Sequence, residues 1–383
     1  MMVADRIYFA PMEGITGHIY RNAHAKHYPG VDRYYLPFIA VHATHNMKNK
    51  EKKDISPAQN VGLCAIPQVL TRNVDDFLWA ADELRILGYR EINLNFGCPS
   101  PTVTSKGKGA AFLGLTDEMD RFLDGIFNEL DRRGLLAASP KKPEMSYTKS
   151  ERDPEESYAE SACGQERLYS QSRGGGTEEN SSEENSSYDN KICVSVKTRI
   201  GVERVDEWER IFAIYNQYPI SELTVHARTM REFYNGEAHP EIFGEILRMT
   251  RIPVVYNGNV FSVKEYRELR DLFKSGAHFS GIMIGRGLIQ NPALVQQIRG
   301  GEGLSAGNLM AFHDEVLSGY QRELSGDTHV ISKMKELWWY MGRMFSDADK
   351  PLKRVKKAKN VREYRAAVRE LLLCDILQTD ESV

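Results

Sequence analysis

Cysteine is scarce in this 383-residue chain: there are five, at positions 64, 98, 163, 193 and 374, and no two form a C-x-x-C pair. That excludes a disulfide framework and a cysteine zinc site, and it fits reduced thiols in a metal-free, cytoplasmic protein. No apolar run approaches the length of a membrane span, and the N-terminus lacks the charged-then-apolar order of a secretion signal. No separate dinucleotide fingerprint is present. Net charge is also small, with 50 Lys and Arg against 53 Asp and Glu, which at first argues against a nucleic-acid partner.

The near-neutrality is an average of two opposed segments. Ser139 to Asn190 holds twelve acidic and six basic residues, a local −6, so the remainder of the chain carries −3 + 6 = +3. Pro351 to Glu370 holds eight Lys or Arg against two Glu, a local +6. The acidic segment, about 139–190, includes "YSQSRGGGTEENSSEENSSYDN" and almost no aliphatics. Such a composition cannot bury enough apolar surface to offset its ordering entropy, so a solvated, disordered insertion is expected there.

Elsewhere short β-branched or aromatic runs recur: 7–12, 33–40, 64–70, 91–96, 192–199, 222–227, 253–258 and 281–286. Helical patterns at Val74–Leu87, Asp117–Arg132, Asp206–Tyr218 and Ser262–Lys274 lie between them. Eight strand-plus-helix units predict an α/β fold, a (β/α)8 TIM barrel, over residues 1–300. "NPALVQQI" reads as a helix opened by Asn291 and Pro292. Residues 301–383 read as helix throughout, a C-terminal all-α domain.

Ligands of such barrels sit at the C-terminal strand ends, where alternate side chains face the axis. On the fourth strand Ile92, Leu94 and Phe96 then face the outer helices, and Asn93 and Asn95 face inward. The fifth points Ser195, Lys197 and Arg199 inward, and the sixth Thr224, His226 and Arg228. Gln68 and Asn257 do the same on the third and seventh. Any one of these alone is ordinarily a satisfied core side chain. Five successive strands ending in polar groups would bury unpaired donors unless a polar ligand filled the mouth. "YNGN" (256–259) and "IGRG" (284–287) follow the last two strands, where such barrels commonly bind phosphate through backbone N–H groups. A polar, phosphorylated ligand is expected.

Seven ordered motifs carry a resemblance: "APMEGITGHIYR", "PQVL", "NLNFGCP", "SVKTRIG", "TVHART" with a downstream Tyr-x-Gly, "IPVVYNGNV" and "GIMIGRGLIQNP". In this order they resemble the tRNA-dihydrouridine synthases, and "HVISKMKELWWYMGRMF" is similar to that family's tRNA-binding helical bundle. "APMEG" and "GDT" look most like the bacterial type C subgroup. The resemblance implies an FMN cofactor re-reduced by NADPH or NADH, and reduction of specific tRNA uridines to 5,6-dihydrouridine. It implies Pro11, Met12 and Glu13 beside the flavin ring, Gln68 hydrogen-bonded to it and Lys197 near its N1–O2 edge. His226 would lie near the ribityl phosphate, with Asn257, Gly258, Asn259, Gly285 and Arg286 holding the phosphate. Cys98 matches the family's general acid, on a loop whose Gly97, Gly107 and Gly109 would let it close over the base.

Asn95 would orient the uracil, and Lys106, Arg199 and Arg228 would contact RNA. The basic tail (Lys353, Arg354, Lys356, Lys357, with Lys359, Arg362 and Arg365) would grip its phosphates. Trp338, Trp339 and Tyr340 are candidates for stacking on RNA, with core packing expected for at least one. Thr102 departs from the lysine, and Asn259 from the acidic residue or glycine, that many members carry. A monomer is expected. An FMN-dependent dihydropyrimidine or dihydroorotate-type dehydrogenase acting on a free base is the rival reading; the basic helical tail, for which such an enzyme has no need, discriminates against it.

Overall fold

The computed structural model describes residues 6–41, 44–137 and 190–377. Its strands are β1 (Arg6–Phe9), β2 (Arg33–Tyr35), β3 (Ile39–Ala40), β4 (Ala65–Ile66), β5 (Gln68–Leu70), β6 (Glu91–Phe96), β7 (Cys193–Gly201), β8 (Leu223–Thr229), β9 (Val254–Asn257) and β10 (Phe279–Ile284). All pair in parallel, in the order β3-β5-β6-β7-β8-β9-β10-β1-β2-β4. The two ends of this order are halves of interrupted strands. β2 runs on into β3 and β4 into β5, so the β2–β4 and β3–β5 pairings close the ring into a barrel.

The two runs read from sequence as single strands, 33–40 and 64–70, are thus each split, around Pro37 and Pro67. Proline has no N–H for the ladder, and so interrupts a strand. The carbonyl survives: Pro67 O accepts from Asn93 N at 2.9 Å.

Strand alternation sorts the side chains as their spacing dictates. Ile92, Leu94, Phe96, Val194, Val196, Leu223 and Val225 are fully buried in the apolar shell between strands and helices. Burying each such side chain contributes roughly 1.5–3 kcal/mol. Around the shell, the helix Val74–Ile86 is capped by Asn73, and Val263–Phe273 by Ser262 with Glu265 in a capping box. Two helices are shorter than expected. Residues 206–218 form a 3-10 turn followed by Trp208–Tyr215, and the helix expected to open at Asn291 begins at Leu294. Asn291 instead turns its side-chain oxygen onto Ala293 N, at 3.1 Å, forming a turn.

Four further helices follow: Ala306–Glu323, Asp327–Met341, Asp349–Lys357 and Val361–Leu371. The first packs on the barrel helix His18–His27. A Cβ on Gly319 would lie 2.5 Å from Ile19 Cγ2, so only glycine permits this approach. Phe312 packs edge-on against Tyr20 and Tyr28, at 5.4 and 5.5 Å between ring centres. Lys333 Nζ donates to Gly14 O at 3.1 Å, bringing the second helix to the rim of the barrel mouth. The flanks of the acidic insertion meet where Leu136 bridges Ile192, at the entry to β7 and the end of the barrel opposite its mouth. The disorder expected of the insertion itself falls on 138–189, outside the described residues.

Candidate active site

The polar inward residues meet at the C-terminal ends of the strands, around a cavity of about 360 Å³. Its walls take in most of the residues singled out from sequence. Pro11, Met12 and Glu13 follow β1; Gln68 and Asn95 rise from β5 and β6. Lys197 and Arg199 come from β7, His226 from β8, Asn257 and Gly258 from β9, and Gly285 and Arg286 from the end of β10. Cys98 sits on the rim, half-buried.

A single-direction chain of hydrogen bonds runs from this loop to the barrel floor. Gly97 N and Cys98 N donate to Asn95 Oδ1 at 3.1 and 2.9 Å. Asn95 Nδ2 donates to Gln68 Oε1 (2.8 Å), and Gln68 Nε2 to Asn93 Oδ1 (2.7 Å). Asn93 Nδ2 donates to Ser195 Oγ (2.9 Å), which donates to Glu91 Oε1 (2.7 Å). Glu91 is ion-paired with Arg33 at 3.0 Å, beside buried Glu222, Tyr8 and Tyr35. Every donor points toward the carboxylate, so each bond polarises the next. Asn95, expected to meet the substrate, here fastens the Cys98 loop.

The loop is folded onto itself. Ala110 N donates to Cys98 O at 3.0 Å, and Gly109, at φ +62°, lies so close that a Cβ there would be 2.6 Å from Cys98 O. Arg199, expected as an RNA contact, is buried and ties loops together: it donates to Gly97 O (2.9 Å), Thr229 O (2.7 Å) and Phe233 O (2.8 Å). Arg228, expected in the same role, is fully buried away from the cavity. It donates to Asn235 O and Gly236 O and to His226 Nε2 at 3.2 Å, leaving the His226 proton on Nδ1.

Electrostatically the mouth is a cluster of cations. Burial, then the Arg199 charge, lowers the Lys197 ammonium to about 7, and it has no hydrogen-bond partner among the described residues. Burial and the Arg228 charge bring Arg199 to about 10, and burial lowers Arg286. Burial together with these cations holds His226 well below its ordinary value, hence neutral. Burial raises the Cys98 thiol, outweighing the Ser100 N–H and the charges of Arg199 and Lys197, so it stays protonated at neutral pH. An unpartnered ammonium amid like charges calls for an anionic ligand.

Asn259 lies outside the cavity but holds Arg286 Nη2 at 2.8 Å, while Asn257 Nδ2 donates to Met283 O at 2.8 Å. Gly285 leaves the room a phosphate needs: a Cβ there would crowd Ala10 Cβ at 3.3 Å and Met12 Sδ at 3.4 Å. The residue that sequence reading missed is Tyr234. It lines the cavity, with the Arg286 and Arg199 guanidinium groups 5.0 and 5.6 Å from its ring centre. Its signal was the Tyr-x-Gly after "TVHART". Lys106 is exposed off the cavity wall. Lys353, Arg354, Lys356 and Lys357 lie exposed on the helix Asp349–Lys357. Among the described residues no three His, Cys, Asp or Glu side chains converge to hold a metal, and no helix is long and apolar enough to cross a membrane.

Fold and site together define a parallel barrel with a cation-lined, thiol-bearing mouth overhung by a helical region. Sequence comparison narrows that class. The dihydrouridine synthase (Dus) family model matches residues 8–131 and 185–374, and the chain belongs to that family. It is 24% identical over 379 residues to the "tRNA-dihydrouridine(16) synthase" of Neisseria meningitidis serogroup B, covering 95% of this chain and 94% of the relative. To the protein of the same name from Pseudomonas syringae pv. tomato it is 26% identical, over 76% of this chain and 74% of the relative.

Proposed function

We propose that this protein reduces uridine in tRNA to 5,6-dihydrouridine, with FMN as its flavin and NADPH as the reductant. The observation that carries the reading is the pairing, in a Dus-family barrel, of a cation-lined cup with a protonated thiol on its rim. The residues fit FMN. Gly285, Asn257 and Arg286 offer room and positive charge for the phosphate, neutral His226 a donor beside it, and unpartnered Lys197 a cation for the reduced ring. Bound flavin supplies a hydride to C6 of the base and regains one from the nicotinamide.

The chain's own residues do the rest. Cys98 Sγ–H delivers the proton to C5 from the other face, and the thiolate left behind is reprotonated from solvent. Asn95 and Arg199 hold that loop in register. The base leaves the RNA stack to reach the mouth, and the exposed cations of the helix Asp349–Lys357 bind phosphates.

The free-base dehydrogenase reading gives no use to an exposed basic helix. Deleting the helical region is a poor test, because Phe312 and Gly319 pack it into the barrel helix. A cleaner one is to purify the intact protein, release its chromophore for mass analysis, and assay dihydrouridine formation on unmodified tRNA and on free uracil. FMN and tRNA-only activity are expected, and position 16 is the first to map. A colourless protein that takes up no flavin would sink the reading.

A further inference from the structure

Three of the four tryptophans are buried or half-buried, whereas Trp339 is 60% exposed. Its neighbour Trp338 is 3% exposed and donates from Nε1 to Tyr364 Oη at 2.7 Å, a core residue. Leaving a large indole in solvent forfeits its burial, so its surroundings are informative. Two cations flank it: the Lys356 ammonium is 5.5 Å and the Arg343 guanidinium 5.9 Å from its ring. The next residue, Tyr340, lines the catalytic cavity. Arg343 is near enough to Arg286 at the cavity wall for their charges to oppose each other. Aromatic and cationic groups therefore alternate from the mouth outward: Arg286, Tyr340, Arg343, Trp339, Lys356.

That alternation suits one kind of ligand, an unpaired RNA strand whose bases stack on rings while its phosphates meet cations. A folded protein partner would more often meet an apolar patch with a polar rim, and here the rim cations sit over the ring itself. We infer that Trp339, clamped by Arg343 and Lys356, is a stacking platform for an unstacked nucleotide of the substrate RNA, next to the one entering the cavity. The inference rests on the proposed reading of the site as a tRNA-modifying centre. It assigns Trp339 to binding and gives it no part in the chemistry.

The test compares the wild-type holoenzyme with Trp339→Ala and Trp339→Phe. The assays are tRNA affinity by filter binding, KM and kcat for dihydrouridine formation, and NADPH oxidation without RNA. Trp339→Ala should weaken tRNA affinity and raise KM by on the order of tenfold or more, as loss of one base stack does. Its kcat and RNA-free NADPH oxidation should stay unchanged, and Trp339→Phe should recover most of the affinity. Lys356→Ala should lower the slope of log affinity against log salt by about one. Wild-type RNA affinity and KM in Trp339→Ala would overturn the inference and leave the patch to a protein contact. A wild-type protein that neither binds nor modifies tRNA would instead overturn the reading beneath it.

Discussion

Replacing Asn95 by alanine separates a loop-fastening role from a substrate-contact role. The side chain makes three hydrogen bonds, accepting from Gly97 N and Cys98 N and donating to Gln68 Oε1. Leaving a buried partner unsatisfied costs about 1–3 kcal/mol, and at a water-accessible mouth the lower figure applies, about 1 kcal/mol each. The total is about 3 kcal/mol, or a fall in melting temperature of roughly 4 °C at about 1.2 °C per kcal/mol for a chain of this length. The catalytic effect adds to this, since displacing a reacting group by about 1 Å costs on the order of a hundredfold in rate. We therefore expect Asn95→Ala to melt several degrees lower without ligand and to lose on the order of a hundredfold in kcat, with KM for tRNA nearly unchanged. Calorimetry of the flavin-free protein and steady-state assays of the holoenzyme measure both. An unchanged melting temperature with a raised KM would refute the fastening argument and restore Asn95 to the substrate.

Cys98→Ala should keep flavin and tRNA while losing about 10²–10⁴ in the rate of flavin reoxidation by tRNA, the usual worth of a general acid; full activity would remove Cys98 from the mechanism. Because burial raises the thiol and the protonated form acts, wild-type kcat should hold level through neutral pH and fall only as pH climbs through the raised value; a rate rising with pH would indicate a thiolate instead. Lys197 is lowered to about 7 from the ordinary lysine range by burial, so its charge destabilises the folded, ligand-free protein below that pH. Lys197→Met should then stabilise the ligand-free protein most below pH 7, with the gain fading as pH rises toward 10, while weakening flavin binding; equal stability at every pH would contradict this. Gly109→Ala forces a Cβ to within 2.6 Å of Cys98 O at a positive φ, and should cost activity while leaving flavin content intact, checked by absorbance and turnover.

Periodicity alone separated the two faces of β6, β7 and β8, because a strand's alternation is local and its apolar face must be covered. It also sent Gln68, Asn95, Lys197, Arg199 and His226 toward one mouth, and the glycine turns after β9 and β10 line that same mouth. The ordered motifs made the family legible. Local pattern did not show that Pro37 and Pro67 break two strands whose halves close the ring, since that depends on which neighbour each half pairs with.

The use to which a polar side chain is put lay equally beyond local pattern. Arg199 and Arg228 look like RNA ligands in a list of basic residues, yet both are buried: Arg199 donates to carbonyls of loops that only the folded barrel brings near it, and Arg228 to those of the loop that follows its own strand. Trp338 and Trp339 are identical to composition, and helix packing alone placed one against Tyr364 and the other in solvent between two cations. The chain's own order of residues thus determined the elements, the inward faces and the chemistry available at the mouth. Which donors remain free to act there was decided by tertiary structure, because hydrogen-bond partners distant in sequence must first be folded into reach.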